Sequence, residues 1–180
     1  MVRAKNLLVT GRPGVGKTTL IERVVKTLKL PVGGFYTHEI REKGVRVGFL
    51  LRTWDGKSGI LSHVEFQSPF RVGKYCVDIS VMDKIGVPAI LEAIPKAKLI
   101  VIDEMGRMEL FSEEFKKSVV VALESKTTLL GVIQERAHPF LNQVRCRPDV
   151  QMFTVTLENR DGLVGILSKQ IQGLLSGGQS

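Results

Sequence analysis

Only two of the 180 residues are cysteine, and Cys76 and Cys146 stand far apart with no CxxC spacing and no histidine cluster nearby. That suggests neither a disulfide framework nor a structural zinc site. Aromatic residues make up 6% of the chain, and they form no evident platform of the kind on which single-stranded nucleic acid stacks its bases. No apolar run approaches the roughly 20 residues that span a bilayer, and the first residues lead into a strand pattern rather than a secretory leader. No membrane-spanning helix and no membrane partner are expected, and a cytosolic protein with two reduced thiols is the reading.

Hydrophobic residues account for 43% of the chain, enough to bury the core of one ordinary domain. We expect that domain over residues 1–175, followed by a frayed Gly/Ser-rich tail over 176–180. There is no internal repeat and no interdomain linker, and a monomer is expected. The net charge of +8 favours polyanionic partners. Nucleoside triphosphates such as ATP and GTP answer that description, and nucleic acid is the lesser candidate.

Apolar runs of strand length alternate with stretches of helical spacing, the pattern of a largely parallel sheet covered by helices on both faces. Strands are expected at residues 5–10, 35–40, 99–102, 127–133 and 152–157. Residues 45–51 and 60–66, on either side of Asp55-Gly56, read as an added β-hairpin. Helices are expected at 17–28, 112–124, 139–145 and from Asp161 onward. A further helix capped by Ser80 should run towards Ile94, with Gly86 and Pro88 disturbing its first half.

Between the first strand and the first helix lies Gly11-Arg12-Pro13-Gly14-Val15-Gly16-Lys17-Thr18, which fits GxxxxGK[ST], the Walker A or P-loop pattern. Its glycines let consecutive N–H groups converge on phosphate, and the helix N-terminus adds partial positive charge. Lys17 should reach the β- and γ-phosphates, and the Thr18 hydroxyl should bind Mg²⁺. Thr19 adds a second hydroxyl that a helix start alone would explain. Arg12 could touch phosphate or simply be solvated.

The buried run at 99–102 ends in Asp103-Glu104, the form of a Walker B element at the carboxyl edge of a sheet. Adjacent acids at a strand end are more often merely solvated. With a complete P-loop in the same chain, Asp103 reads as a Mg²⁺ ligand and Glu104 as the carboxylate that polarises an attacking water.

Taken together with Gly34-Phe35-Tyr36-Thr37-His38-Glu39, Asp103 to Phe111 (DEMGRMELF), Arg136-Ala137-His138-Pro139 and Glu158-Asn159-Arg160-Asp161, these motifs resemble the thermophilic P-loop nucleoside-triphosphatase family, which includes the human cancer-related nucleoside-triphosphatase. The resemblance covers nearly the whole chain and departs only conservatively, at Met105. It implies an α/β three-layer P-loop domain, with a RecA-like mostly parallel sheet, that hydrolyses ATP, GTP and other triphosphates with broad base tolerance. It also implies that Glu104 activates water and that the Asn159-Arg160 turn lies near the base.

Arg136, just past a predicted strand, could offset charge on the transferring phosphoryl group or be an ordinary loop arginine. His138 reads as a turn residue. Asn159 and Arg160 follow the last strand, where the base edge lies, and an arginine plane can stack on any purine. Asn159-Arg160-Asp161 lacks the lysine and the spacing of a guanine-reading NKxD element. Two other functions compete with the hydrolase. A nucleotide or nucleoside kinase would need an acceptor pocket. A nucleic-acid-associated ATPase would draw on Arg41, Lys43, Arg46 and Arg52 around the hairpin.

Overall fold

The computed structural model describes residues 4–177. Nine strands form one sheet: β1 (Asn6–Thr10), β2 (Val32–Glu42), β3 (Val45–Thr53), β4 (Ser58–His63), β5 (Arg71–Val72), β6 (Tyr75–Val77), β7 (Leu99–Met105), β8 (Thr128–Ile133) and β9 (Val150–Thr154). Their spatial order is β5-β6-β4-β3-β2-β7-β8-β1-β9. From β2 through β9 every pairing is parallel. The remaining pairings, from β2 outward to β5, are antiparallel. Along the parallel part, β8 separates β1 from β7, so the strand before the phosphate loop and the strand that carries Asp103 flank it. This is the RecA-like arrangement that the family resemblance implies.

Side-chain parity explains the three layers. Successive residues of a strand face opposite sides, and both sides of the central strands are apolar, as parallel strands under two helical layers require. Leu7, Val9, Leu99, Val101, Leu130 and Val132 pack with α1 (Lys17–Leu28) and α6 (Arg160–Ser176). Leu8, Ile100, Ile102, Leu129 and Ile133 face the other way, towards α3 (Val87–Lys96), α4 (Glu113–Glu124) and α5 (Pro139–Arg145). Phe35 and Phe115 meet edge to face in this second layer, with centroids 6.0 Å apart.

Several expected boundaries shift. The added hairpin is larger than expected: β2–β3 turns through Lys43-Gly44, both at positive φ, and β3–β4 turns at Asp55-Gly56. A further small hairpin, β5–β6, lies beyond. The helix expected from Ser80 begins as α2 (Ile79–Val81), passes through a π turn (Met82–Gly86) and continues as α3. Its cap is Asp78, whose carboxylate accepts the Ser80 N–H at 2.9 Å. Gly86 keeps helical angles, and Pro88, which has no N–H to give to the preceding turn, comes just after the π turn. Ser112 caps α4 rather than opening it, accepting the Phe115 N–H at 2.9 Å. The last strand ends at Thr154, and the Val155 N–H makes the final bond to β1, to the Thr10 carbonyl at 2.8 Å. Ser176 of the expected tail closes α6, and residues 178–180 lie outside the described residues.

Candidate active site

All parallel strands end on one edge of the sheet, and the chemistry-bearing residues collect there. The phosphate loop follows β1. Gly11, Gly14 and Gly16 have φ of 149°, 78° and 102°, values that side chains rarely adopt. At Gly11 a Cβ would also lie 2.6 Å from the Val155 carbonyl oxygen. The loop hands over to α1 at Gly16 with no side-chain cap, which leaves the first N–H groups of the helix free for an anion. Lys17 folds back, its ammonium donating to the Gly11 carbonyl at 2.6 Å and the Arg12 carbonyl at 3.0 Å. Arg12, Pro13, Gly14 and Thr19 are exposed.

At the end of β7, Asp103 is 2% exposed. Burial pushes its carboxyl up to about 7, with the Thr18 hydroxyl pulling the other way and the neighbouring Glu104 adding to the rise. One carboxylate oxygen of Asp103 has no partner among the described residues. A buried, orphaned oxygen beside a threonine hydroxyl is the hard donor set that Mg²⁺ takes, since this ion binds through one or two protein oxygens plus phosphate and water. Among the described residues no cluster of three His, Cys, Asp or Glu forms an all-protein cage.

Glu104, joined to Asp103 by a cis peptide, is raised above the ordinary glutamate range by burial, with Lys17 and the Gln134 amide moderating the rise. Gln134, one residue past β8, donates to the Glu104 carboxylate at 3.2 Å. Its carbonyl is held in turn by the Arg145 guanidinium from α5. Five residues beyond Glu104, Glu109 is buried and accepts the Gly106 N–H at 3.1 Å. Burial, and then the Glu104 charge, push it up to about 8.

These groups open into a cleft of about 800 Å³ lined by the phosphate loop, Asp103, Glu104, Glu109, Gln134 and Arg136, and on its far side by residues of β2, β3 and the β5–β6 hairpin. Arg136 is exposed there. Arg160 lies elsewhere, in a smaller depression with Gly16, Thr19, Arg23 and Asp161. Its guanidinium donates to the Val15 carbonyl at 3.3 Å. Asn159 serves its own turn: the side-chain oxygen accepts the Thr156 N–H at 2.8 Å and the amide donates to the Thr154 carbonyl at 2.9 Å. His138 caps α5, accepting the Phe140 N–H at 3.2 Å.

The structure thus brings Lys17, Thr18, Asp103, Glu104 and Arg136 to one cleft and sets Arg160 on the side towards β9. Sequence reasoning missed Gln134, Glu109 and Arg145 as members of the site. Gln134 had a signal, since it directly follows a strand buried on both faces. Glu109 stood in a distinctive segment, without a spacing that would assign it a role.

A family model described as NTPase matches residues 6–168. A nucleoside-triphosphatase THEP1 from a Thermotoga strain is 42% identical over 158 residues, covering 88% of this chain and 90% of the relative. The human cancer-related nucleoside-triphosphatase is 40% identical over 177 residues, covering 89% and 93%. Among solved structures, THEP1 from Aquifex aeolicus superposes with a TM-score of 0.85 at 34% identity, covering 92% of this chain and 98% of that one. The human cancer-related nucleoside triphosphatase superposes with 0.82 at 38% identity, covering 94% and 98%. A complete phosphate loop, a buried aspartate beside it and this likeness over most of the chain establish membership: the protein belongs to the nucleoside-triphosphatase family, a family of hydrolases.

Proposed function

We propose that the protein hydrolyses nucleoside 5′-triphosphates to diphosphate and phosphate in the presence of Mg²⁺, with water as the phosphoryl acceptor. The observation that carries this reading is Glu104, a mostly buried carboxylate of raised pKa held by Gln134 in the same cleft as Lys17 and Thr18. Thr18 and Asp103 would hold Mg²⁺, which supplies charge neutralisation across the β- and γ-phosphates when bound. Lys17 exchanges its loop carbonyls for phosphate oxygens. Glu104 accepts a proton from the water aimed at the γ-phosphorus, and its raised pKa brings it closer to the neutral range in which a general base works best. Arg136, exposed at the mouth, offsets charge on the transferring group.

Base tolerance follows from the other end of the ligand. Arg160 and Asn159 belong to an exposed turn, and stacking on a guanidinium plane discriminates poorly among bases. A cytosolic, monomeric protein acting on free ATP, GTP and related triphosphates completes the reading. Among the described residues no helix is long and apolar enough to cross a membrane.

The test is phosphate release from ATP, GTP, CTP and UTP with no acceptor present. All four should turn over with kcat/KM values within about tenfold of one another, and EDTA should abolish release. Binding without phosphate release in any of the four would sink the hydrolase reading.

A further inference from the structure

A bound triphosphate has two directions to fill, and the molecule offers unequal space for them. Towards β9 and α6, where Arg160 lies, the described residues form a small depression beside Gly16 and Thr19. The main cleft runs the opposite way, from Lys17 and Glu104 past the ends of β7 and β2 to the antiparallel extension of the sheet. Its volume of about 800 Å³ lies within the range of a whole small-molecule site. The β- and γ-phosphates with one cation leave most of it open, and a single water needs little of the rest.

The far end of the cleft is built rather than merely open. Phe49 and Tyr75 meet edge to face with ring centroids 5.4 Å apart. The Arg46 guanidinium lies 5.1 Å from the Phe49 centroid and 5.5 Å from that of Tyr75. It is fixed there, donating to the Tyr75 hydroxyl at 2.9 Å and pairing with Glu39 at 2.7 Å. Met108, from the turn after β7, lines the same cleft. Aromatic rings, a thioether and a neutralised guanidinium make a surface suited to a flat, uncharged ring system. Hydrolysis by water has no use for it.

We propose that this half of the cleft binds a second substrate, a small flat heteroaromatic alcohol, and, resting on the reading of the phosphate loop as a triphosphate site, that its hydroxyl takes the γ-phosphoryl group. The alcohol oxygen attacks the γ-phosphorus as the bridging β–γ P–O bond breaks. The hydroxyl proton passes to the Glu104 carboxylate, and the products are a phosphomonoester, the nucleoside diphosphate and one proton. No oxidant or reductant is needed. Glu104 serves either acceptor, so hydrolysis is the reaction left when the alcohol is absent.

The test incubates the full-length chain with Mg-ATP and, one at a time, adenosine, guanosine, cytidine, uridine, thymidine and pyridoxine, and follows products by ³¹P NMR, which separates phosphomonoester from inorganic phosphate. At least one probe should yield ester as a major product. Phe49→Ala should lower the ester-to-phosphate ratio by at least about tenfold, a ratio read within one sample that partial loss of folded protein does not mimic. Recovery of all the transferred phosphorus as inorganic phosphate with every probe overturns the proposal while leaving hydrolysis standing. A probe that changes the rate of phosphate release without being phosphorylated is an effector and also overturns it. Ester formation indifferent to Phe49→Ala overturns the assigned location. ATP left intact in the acceptor-free sample as well would remove the triphosphatase reading beneath it.

Discussion

At the scale of single residues, the site concentrates three acids in a space that cannot ionise all of them cheaply. Asp103, Glu104 and Glu109 are each raised first by burial, and Glu109 reaches about 8 with the charges of Glu104 and Asp103 facing it. A carboxyl whose folded pKa exceeds its unfolded value of 4.5 holds its proton more tightly in the fold. Its contribution to stability is therefore complete below the unfolded value and is lost as the pH rises through about 8. Glu109→Gln removes that loss. At pH 8 the nucleotide-free variant should melt roughly 3–6 °C higher than the parent, while at pH 4, below the unfolded value, the two should coincide. Thermal melts at the two pH values decide it, and an equal shift at both would refute the titration. Neither Glu109 nor Gln134 could be assigned from the sequence as Lys17 and Thr18 could. The phosphate loop is contiguous and carries its geometry in its own glycines, whereas Gln134 meets Glu104 only because of where β8 lies.

At the scale of elements, the insertion of β8 between β1 and β7 determines what the site contains. It sets Gln134, Glu135 and Arg136 between the phosphate loop and Asp103, and strand order is not written in the periodicity of any one segment. The legible part was local: strands and helices with strong spacing, and the turn at Asp55-Gly56. The π turn at Met82–Gly86 and the β5–β6 hairpin were illegible because two- and five-residue elements have too few positions to show a period. The pairing of β2 with β7 depends on a glycine. Gly34 has φ of 95°, and a Cβ there would press into the backbone of Val101. Gly34→Ala should cost about 2–4 kcal/mol. Urea unfolding measures it, and an unchanged midpoint would show that β2 and β7 do not approach so closely.

At the scale of the whole molecule, the net charge of +8 invites a nucleic-acid partner, but part of the basic hairpin is already occupied. Arg41 and Arg46 both pair with Glu39, and Arg46 lies against Phe49 and Tyr75. Turnover of Mg-ATP at low salt should accordingly change by less than about twofold on adding single-stranded RNA or DNA. Stimulation that disappears as salt is raised would instead mark a nucleic-acid-dependent ATPase. The mostly parallel sheet and its helices superpose on relatives of known structure with TM-scores of 0.85 and 0.82. The chemistry assigned to that cleft rests chiefly on one carboxylate.

The measurement that tests this most directly is phosphate release from Mg-ATP by the parent protein and by Glu104→Gln, with nucleotide binding followed in parallel. The amide keeps the shape and cannot accept the proton, so release should fall by about 10²- to 10⁴-fold while binding stays within about threefold. Release by the variant at the parent's rate would contradict the assignment of Glu104 as the base.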